Sequence, residues 1–503
     1  MKTTFLGAVL IGWSVAAVGA ERPPNILFLH ADQHNARVMG CAGHPDVKTP
    51  TLDRLAATGV LFQRAYCQAG ICTPSRTSLM TSLYPRTTGV LWNSAQDNGQ
   101  VHAGVRIEPM AAWFKNHGYR TAAFGRRHLA DAADVGWTRT GSTYDRRSDE
   151  SYQDWLRETG RYDAFKKDSD FKNMELNSHV TQLPAEATEE AWMARKTTAF
   201  IRQAAQDGQP FFCWVPFLHP HHPYTPLPQF HRLYDPAKLT LPANLHESLE
   251  NLPPFIRGFR SGENNPWCLG RAAKDDSVFR RFLACYYGCV SQVDDSIGQI
   301  LLALEATGQL DNTIILYTAD HGDFAAYHGL AEKFPWAHNM YEEILRVPFI
   351  ISWPARLRKG DVRQDLVEET DIYPTLLELT GIEAPKDYAM VGRSLAPTLT
   401  RGEAAGRRYA FSENSVMATV IGERYKLGVF VVEQPGNYPD MLFDRIADPL
   451  EVRNLCGRPE AAAVEKELRG VLAAWMARTP AVEVKTLPRM PGNKPAVRKK
   501  PLL

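Results

Sequence analysis

Apolar segments separated by helical patterns are the feature that most constrains the fold of this chain. Five segments read as buried strands: residues 25–32, 118–125, 210–219, 312–320 and 347–354. Segments with the period of a helix lie between them, among them 49–62 and 289–308. A strand that is apolar on both faces needs cover on both sides, as in parallel sheets with helices packed on each face. The pattern predicts an α/β fold with a large, mostly parallel sheet sandwiched by helices.

The pattern changes near residue 385. Shorter apolar runs at 409–413, 417–422, 424–432 and 440–444 precede a helical segment at 461–478. Runs of this length with close spacing indicate a small antiparallel sheet, here followed by a terminal helix. We therefore predict a first domain at 21–385, a C-terminal subdomain at 386–485 and a flexible basic tail at 486–503, where proline, lysine and arginine are frequent.

The first twenty residues are predicted to lie outside the fold. Lys2 precedes an apolar run that ends in small residues at Ala20, which is typical of a signal peptide cleaved before Glu21. A membrane anchor is the alternative, but the run is short for one. We expect an exported protein, periplasmic or secreted, with no stable membrane insertion after signal removal. A balance of 57 basic and 56 acidic residues argues against a nucleic-acid partner bound through bulk charge.

Two predicted strands end in pairs of residues that bind metals. Asp32-Gln33 follows the first apolar strand, and Asp320-His321 follows the strand at 312–320. Functional groups of open parallel sheets gather beyond the carboxyl ends of the strands. Either pair alone would be read as ordinary loop polar groups. Together they favour one divalent metal ion, with Ca²⁺ preferred and Mg²⁺ or Mn²⁺ as alternatives.

Cys72 stands at the start of a predicted helix, in ICTPSRTSLMTSLYPR (71–86). Pro74 suits the first helical turn, and Leu79 and Leu83 continue an apolar face. The N-terminus of a helix favours anions, and Arg76 lies one turn further along. The residues alone leave three roles open for the thiol: half of a disulfide, a thiolate nucleophile, or the precursor of another group.

The run CTPSR, followed by TSLMTSLYPRTTGV, resembles the signature of the type I sulfatases, a family of the alkaline phosphatase superfamily. The resemblance covers nearly all of the mature chain, from PPNILFLHADQ to MLFDRIADPLEVRNL. It implies an alkaline-phosphatase-like fold in which residues 21–385 are catalytic. It also implies that a formylglycine-generating maturase oxidises Cys72 to Cα-formylglycine. One hydroxyl of the hydrated aldehyde would attack sulfur, and the other would drive the release of sulfate.

Other segments resemble family motifs and imply roles for further residues. GYRTAAFGRRHL (118–129) places His128 beside the formylglycine and sets Arg126 where the family usually has a sulfate-binding lysine. FLHPHHPYTP (217–226) aligns His221 with the histidine that protonates the leaving oxygen, and AEKF aligns Lys333 with a second sulfate-binding lysine. The resemblance implies that Arg76, Arg126 and Lys333 hold the sulfate oxygens. The implied catalytic residues are Cys72, Arg76, His128, His221 and Lys333, and the implied metal ligands are Asp32, Gln33, Cys72, Asp320 and His321. Asn93 either contacts the sulfate or is a turn residue.

The metal-binding pairs depart from the commonest sulfatase pattern, which is Asp-Asp early and Asp-Asn late. Phosphonate monoester and phosphodiester hydrolases of the superfamily share the Asp-His variant and use formylglycine, so such a hydrolase is the alternative function. His128, which those relatives lack, favours a sulfatase, with a carbohydrate as the expected substrate. We expect its specificity in the insertions at 131–190 and 223–280 and in the C-terminal sheet. Four aromatic residues could stack on sugar rings, although packing is the favoured expectation for each: Trp137, Tyr144, Tyr224 and Trp267.

Overall fold

The computed structural model describes residues 22–93, 100–144, 148–169, 175–253, 256–257, 275–333, 339–433, 439–482 and 497–498. The predicted signal peptide, Trp267 and most of the predicted basic tail therefore lie outside the described residues. Within the described ranges, no helix is both long enough and apolar enough to cross a lipid bilayer.

A ten-stranded sheet forms the centre of the large domain. Its strands are β1 (Asn25–Asp32), β2 (Val60–Tyr66), β3 (Arg120–Phe124), β4 (Arg139–Ser142), β5 (Glu150–Ser151), β6 (Phe211–Pro220), β7 (Thr313–Ala319), β8 (Arg346–Val347), β9 (Phe349–Ser352) and β10 (Asp361–Glu368). Their order is β10-β2-β9-β7-β1-β6-β3-β4-β5, and β8 pairs with β2.

The strands that carry the predicted site are parallel neighbours. β1 pairs in parallel with β6 on one side and with β7 on the other. β3 continues the parallel order from β6, and β4 continues it from β3. Of the described strands of this sheet, β8 and β9 run antiparallel to their neighbours. The prediction of a mostly parallel sheet is confirmed, and the carboxyl ends of β1, β3, β4, β6 and β7 meet at one edge.

Helices cover both faces of the sheet, as the apolar strands require. In β1, Leu27 and Leu29 pack into one core cluster, and Ile26 and Phe28 pack into another. The described helices are α1 (Pro50–Ala57), α2 (Cys72–Thr81), α3 (Pro85–Thr88), α4 (Met110–Asn116), α5 (Tyr152–Glu158), α6 (Tyr162–Asp168), α7 (Glu189–Asp207), α8 (Pro228–His231), α9 (Asp276–Ala306), α10 (Glu342–Leu345), α11 (Ile372–Thr380), α12 (Ala396–Arg401) and α13 (Ala462–Arg478).

A separate antiparallel sheet follows, as predicted. Its strands, in spatial order, are β11 (Ala410–Glu413), β12 (Met417–Ile421), β13 (Tyr425–Phe430) and β15 (Met441–Asp444). The terminal helix α13 packs on this sheet through Trp475, whose ring stacks on Phe411 at 4.8 Å. Two short strands, β14 (Val432–Glu433) and β16 (Val497–Arg498), pair outside it. The domain boundary near residue 385 stays a prediction.

Two predicted helices have different bounds in the structure. The helix predicted at 49–62 ends at Ala57, because Gly59 follows and strand β2 begins at Val60. The helix predicted at 289–308 begins at Asp276, with the side chain of Asp275 capping its first turn. The helical turns before residue 289 bury Phe279 and Phe282 in a third core cluster.

Candidate active site

Four of the five predicted metal ligands meet at the carboxyl edge of the large sheet. Asp32 ends β1, and Asp320 follows β7, whose Ala319 pairs with Ala31. One ligand atom from each of Asp32, Cys72, Asp320 and His321 lies within 4.8 Å of all the others, and all four residues are buried. Oxygen, sulfur and imidazole donors so close together, in a buried position, can hold one cation.

The ring of His321 is oriented for such a role. Its Nδ1–H donates to the carbonyl oxygen of Gly322 (2.9 Å), so Nε2 carries the lone pair that faces the cluster. That nitrogen lies 3.2 Å from the Cys72 Sγ and 3.6 Å from Asp320 Oδ1. Burial lowers the pKa of His321 to about 4, so the ring is neutral at pH 7, as a metal ligand must be.

Gln33 contacts this cluster but uses its side chain elsewhere. Its backbone N–H donates to Asp320 Oδ1 (3.0 Å), with φ at +65°. Its side-chain nitrogen donates to Asp323 Oδ2 (2.6 Å) and to Tyr224 Oη (3.1 Å), and its side-chain oxygen accepts from Lys333 Nζ. Metal binding by Gln33 therefore stays a prediction, and the structure adds a direct contact with Lys333.

Cys72 is the first residue of α2, as predicted, and it is a free cysteine. Its side chain is fully buried, and its Sγ lies 3.6 Å from Asp32 Oδ1. Burial, reinforced by the charge of Asp32, raises the pKa of the thiol to about 12. With no cation bound, a thiol with this pKa is protonated at pH 7. Because Cys72 is a free cysteine, the disulfide role finds no support among the described residues.

Arg76 lies beneath the cluster with its donors engaged by the protein. Its Nε donates to Asp320 Oδ2 (2.7 Å) and its Nη2 to Asp32 Oδ2 (2.8 Å). Its Nη1 donates to the backbone oxygens of Arg126 and Arg127. Arg76 thus fixes both predicted aspartate ligands, and its predicted contact with sulfate stays a prediction.

The two aspartates are ionised because of these cations. Burial alone would raise the pKa of Asp32, but Arg126 and Arg76 hold it well below its usual range. Burial also opposes ionisation of Asp320, and Arg76 lowers its pKa to about 2. Two carboxylates that remain charged in a buried position are the donors that a divalent cation needs.

Four further predicted residues, two cations and two histidines, interact with the charged groups of this site. Arg126 Nη1 donates to Asp32 Oδ2, and Lys333 reaches the cluster through Gln33. His128 has a left-handed backbone (φ +47°), and its Nδ1 has no hydrogen-bond partner among the described residues. Burial, and then Arg126 and Arg76, lower its pKa well below the ordinary value.

One ring nitrogen of His221 is held by the backbone. Its Nδ1–H donates to the carbonyl oxygen of His222 (2.7 Å), which leaves the lone pair on Nε2. Burial, and then Lys333, lower the pKa of His221 well below its ordinary value. A bound anion would offset the charge of Lys333 and so raise this pKa.

Asn93 stabilises the start of α2. Its side-chain oxygen accepts a hydrogen bond from the backbone N–H of Thr73 (2.9 Å), directly after Cys72. The structure therefore gives Asn93 a capping contact in the first turn of the helix, and its contact with sulfate stays a prediction.

Several residues of the site were not among the predicted ones. Asp323 and Tyr224 hold the Gln33 amide, and Glu332 pairs with His222 and lies 3.8 Å from Lys333 Nζ. Asp323 could have been suspected, since it follows His321 by two residues on the same loop. Tyr224 and Glu332 lie close in sequence to His221 and Lys333, but the side chains that they contact were not predicted from any local spacing.

Comparison with known families identifies two matching regions. The Sulfatase family model matches residues 24–382, which is most of the chain. The model described as N-sulphoglucosamine sulphohydrolase, C-terminal, matches residues 328–478 and so includes the small antiparallel sheet.

Individual proteins are similar along most of their length. An ulvan-active sulfatase of Formosa agariphila is 29% identical over 455 residues, which cover 88% of this chain and 79% of that protein. An N-acetylglucosamine-6-O-sulfatase of Bacteroides thetaiotaomicron is 26% identical, covering 89% of this chain and 85% of that protein. Among solved structures, a phosphonate monoester hydrolase from Silicibacter pomeroyi superposes with a TM-score of 0.76 at 26% identity, covering 95% of this chain and 99% of that one.

Proposed function

This chain belongs to the sulfatase family and is an enzyme that hydrolyses sulfate esters, and we propose that it removes sulfate from a carbohydrate through a formylglycine derived from Cys72. The observation that carries the proposal is the position of Cys72. It starts a helix, lies next to His321 and Asp32, and is under the influence of the positive charges of Lys333 and Arg126.

We propose that Asp32, Asp320, His321 and the modified residue 72 hold one divalent ion, with Ca²⁺ as the preferred metal. The donor set supports this: two ionised carboxylates, a neutral imidazole with its lone pair facing inward, and residue 72, whose Sγ marks the place of the formylglycine oxygen. Such a cation supplies charge stabilisation to the sulfate group and to the nucleophilic oxygen.

The protein's own residues divide the remaining work. When Cys72 has been oxidised and hydrated, it supplies the attacking hydroxyl and the second hydroxyl through which sulfate is released. Arg126 and Lys333 bind sulfate oxygens and offset the charge that develops during S–O cleavage. His221 donates a proton to the leaving oxygen, and His128 hydrogen-bonds residue 72. Arg76 keeps Asp32 and Asp320 in place.

The carbohydrate substrate is supported by similar proteins whose names specify such substrates, namely ulvan and N-acetylglucosamine 6-O-sulfate. Export is supported by the predicted signal peptide at 1–20, which lies outside the described residues. We propose a periplasmic or secreted enzyme that is converted by a formylglycine-generating maturase. A mature chain that begins at Glu21, determined by N-terminal sequencing, would support the export proposal.

A phosphonate monoester or phosphodiester hydrolase is the second candidate function. It is favoured by the fold similarity to the phosphonate monoester hydrolase and by the Asp-Gln and Asp-His pairs. His128, placed beside the cations of the site, favours sulfate instead.

Parallel kinetics distinguish the two candidates. The purified enzyme is assayed for kcat/KM on 4-nitrophenyl sulfate and on an aryl phosphonate monoester with the same leaving group. Our proposal predicts a higher kcat/KM for the sulfate, and a higher value for the phosphonate would reject it. Mass spectrometry of the peptide that contains residue 72 should show the lower mass of an aldehyde in place of the thiol.

A further inference from the structure

A small cavity lies beside the proposed sulfate site, where helix α7 begins. Helices of an α/β sheet that precede a parallel strand start at the edge where the neighbouring strands end. Glu189 and Glu190, the first residues of α7, therefore lie at the same edge as the active site. With Tyr144, Asp168, His219 and Thr181 they line a cavity of about 40 Å³.

Two of the three carboxyl groups of this cavity are paired with a histidine. Asp168 accepts hydrogen bonds from His179 Nε2 (2.9 Å) and from the Thr181 hydroxyl. Glu190 accepts from Gln292 Nε2 (2.7 Å) and lies 2.9 Å from His219 Nδ1. These contacts explain why both residues are tolerated inside the protein.

Glu189 is different. Only 7% of its surface is exposed, and its Oε1 has no hydrogen-bond partner in the described part of the chain, whereas the Thr143 hydroxyl interacts with the carboxyl group. A buried polar atom without a partner destabilises the folded protein, because it has lost its hydrogen bonds to water. A ligand group that donates a hydrogen bond to Oε1 would recover that free energy, so this oxygen can serve as a recognition group.

The cavity adjoins the residues that surround the sulfate. Tyr144 forms part of its wall and is 45% exposed, and the guanidinium of Arg126 lies 5.9 Å from the centre of the Tyr144 ring. His219, near the end of β6, forms another wall of the cavity. It lies two residues before the proposed acid His221. A group attached to the leaving alcohol can therefore enter past Tyr144 while its sulfate contacts Arg126.

Size and charge restrict what the cavity can accept. A volume of 40 Å³ holds only a few water molecules, which suits one substituent and excludes a second sugar ring. Three carboxyl groups disfavour an anionic substituent. Burial, and then Glu190, raise the pKa of Glu189 to about 8, so its carboxyl is mostly uncharged at pH 7 and gains little from a cation. A neutral hydroxyl satisfies both restrictions.

We propose that this cavity is a subsite for a hydroxyl group of the leaving alcohol, next to the sulfated carbon, with Glu189 as its hydrogen-bond partner. The inference rests on the proposed sulfatase function and narrows its substrate class to sulfate esters with a free neighbouring hydroxyl.

Two aryl esters test the inference: 4-nitrophenyl sulfate, and 2-hydroxy-5-nitrophenyl sulfate, which carries a hydroxyl next to the ester. The ratio of their kcat/KM values is compared between the wild type and each variant, so that the intrinsic difference between the two phenols cancels. Glu189→Leu should lower the ratio by about 10- to 100-fold, as expected for a lost hydrogen bond to a buried group. Glu189→Gln, which retains a hydrogen-bonding side chain of the same size, should lower it less.

Glu186→Gln is the matched control, because Glu186 lies three residues earlier and is exposed. It should leave the ratio unchanged. Thermal unfolding checks that each variant is folded, and Glu189→Gln decides the outcome if Glu189→Leu does not fold. An unchanged ratio in the folded Glu189 variants would overturn the inference while the sulfatase function stands. A wild-type enzyme that contains formylglycine but cleaves neither ester would count against the proposed function, and the inference would fall with it.

Discussion

Arg76 and Asp320 form a completely buried ion pair, with 2.7 Å between Nε and Oδ2. The same guanidinium donates from Nη2 to Asp32 at 2.8 Å. One cation therefore fixes two carboxylates that come from different strands and are proposed to share one metal ion. The geometry of the proposed metal site depends on a residue that is not itself a ligand.

The first prediction is that Arg76→Lys loses metal affinity. A lysine keeps the charge but has one ammonium group and cannot bridge both carboxylates with fixed geometry. We expect metal affinity and kcat/KM to fall by about 10- to 100-fold, as for partners of metal ligands in general. Metal titration followed by elemental analysis measures the loss of metal affinity.

Arg127→Lys is the control for that experiment. Arg127 is also buried, but its ion pair is with Asp134 at 2.8 Å, away from the carboxylates of the site. This variant should lose stability without losing metal. If Arg76→Lys retained as much metal as Arg127→Lys, the role given to Arg76 would be contradicted.

The second prediction concerns the ligands directly. Asp320→Ala should lose both the divalent ion and activity, because an anionic sulfate needs a cation to offset repulsion from Asp32. Elemental analysis of the purified protein gives the metal stoichiometry and identifies the metal. A stoichiometry that is unchanged in both Asp32→Ala and Asp320→Ala would remove the site from consideration.

The third prediction is that Cys72→Ser folds normally and does not turn over. Serine is close to cysteine in size at the start of α2, so the thermal midpoint should change little. Its single hydroxyl could accept sulfate but has no second hydroxyl to release it. The expected result is at most one product molecule per enzyme in a burst assay. Sustained wild-type turnover by a folded Cys72→Ser enzyme would refute the formylglycine proposal.

Much of the fold was predictable because its signals are local. The apolar runs that form β1, β6 and β7 can be identified from their own residues. The polar pairs at the ends of β1 and β7 indicated the position of the site. The start of α2 at Cys72 followed from Pro74 and the apolar face behind it. Each of these inferences depended on residues within one segment of the chain.

Other features depend on contacts between distant segments and could not be predicted. The antiparallel direction of β9 is set by its pairing with β7, Ile315 opposite Ser352, and no sequence pattern specifies it. Arg76 donates to Asp32 and Asp320, which lie at the ends of two strands far away in the sequence. These contacts were not predicted, and the resemblance instead implied that Arg76 binds sulfate. The Oε1 of Glu189 has no hydrogen-bond partner among the described residues, and only a structure can show this.

The fourth prediction concerns pH and stability. His328 is buried, with Nδ1 2.9 Å from Glu247 and Nε2 3.7 Å from Glu343. Burial opposes its charge, but the hydrogen bond with Glu247 and the nearby carboxylate of Glu343 raise its pKa to about 9. A raised histidine pKa stabilises the folded state fully below about 6.5, and this contribution is lost as the pH rises through about 9. The shift corresponds to at most about 3 kcal/mol.

His328→Gln tests this contribution, because glutamine cannot be charged. The variant should be less stable than the wild type at pH 6, and the difference in thermal midpoint should shrink steadily towards pH 9.5. His246→Gln is the control, since His246 is exposed beside Asp276. A difference between His328→Gln and the wild type that stays constant across this range would show that the protonation of His328 does not stabilise the fold.

The last prediction separates the roles of His221 and Lys333. A general acid matters most for a poor leaving group, such as a sugar hydroxyl, whereas nitrophenol leaves with little help. His221→Ala should therefore reduce kcat/KM for a sulfated sugar about 10² to 10⁴-fold and reduce that for 4-nitrophenyl sulfate far less. Lys333→Ala should affect both substrates similarly, because both contain the sulfate that Lys333 binds. The comparison requires S–O cleavage to limit kcat/KM for both substrates. Under that condition, equal losses in His221→Ala would exclude His221 as the acid and make His128 or Lys333 the candidate.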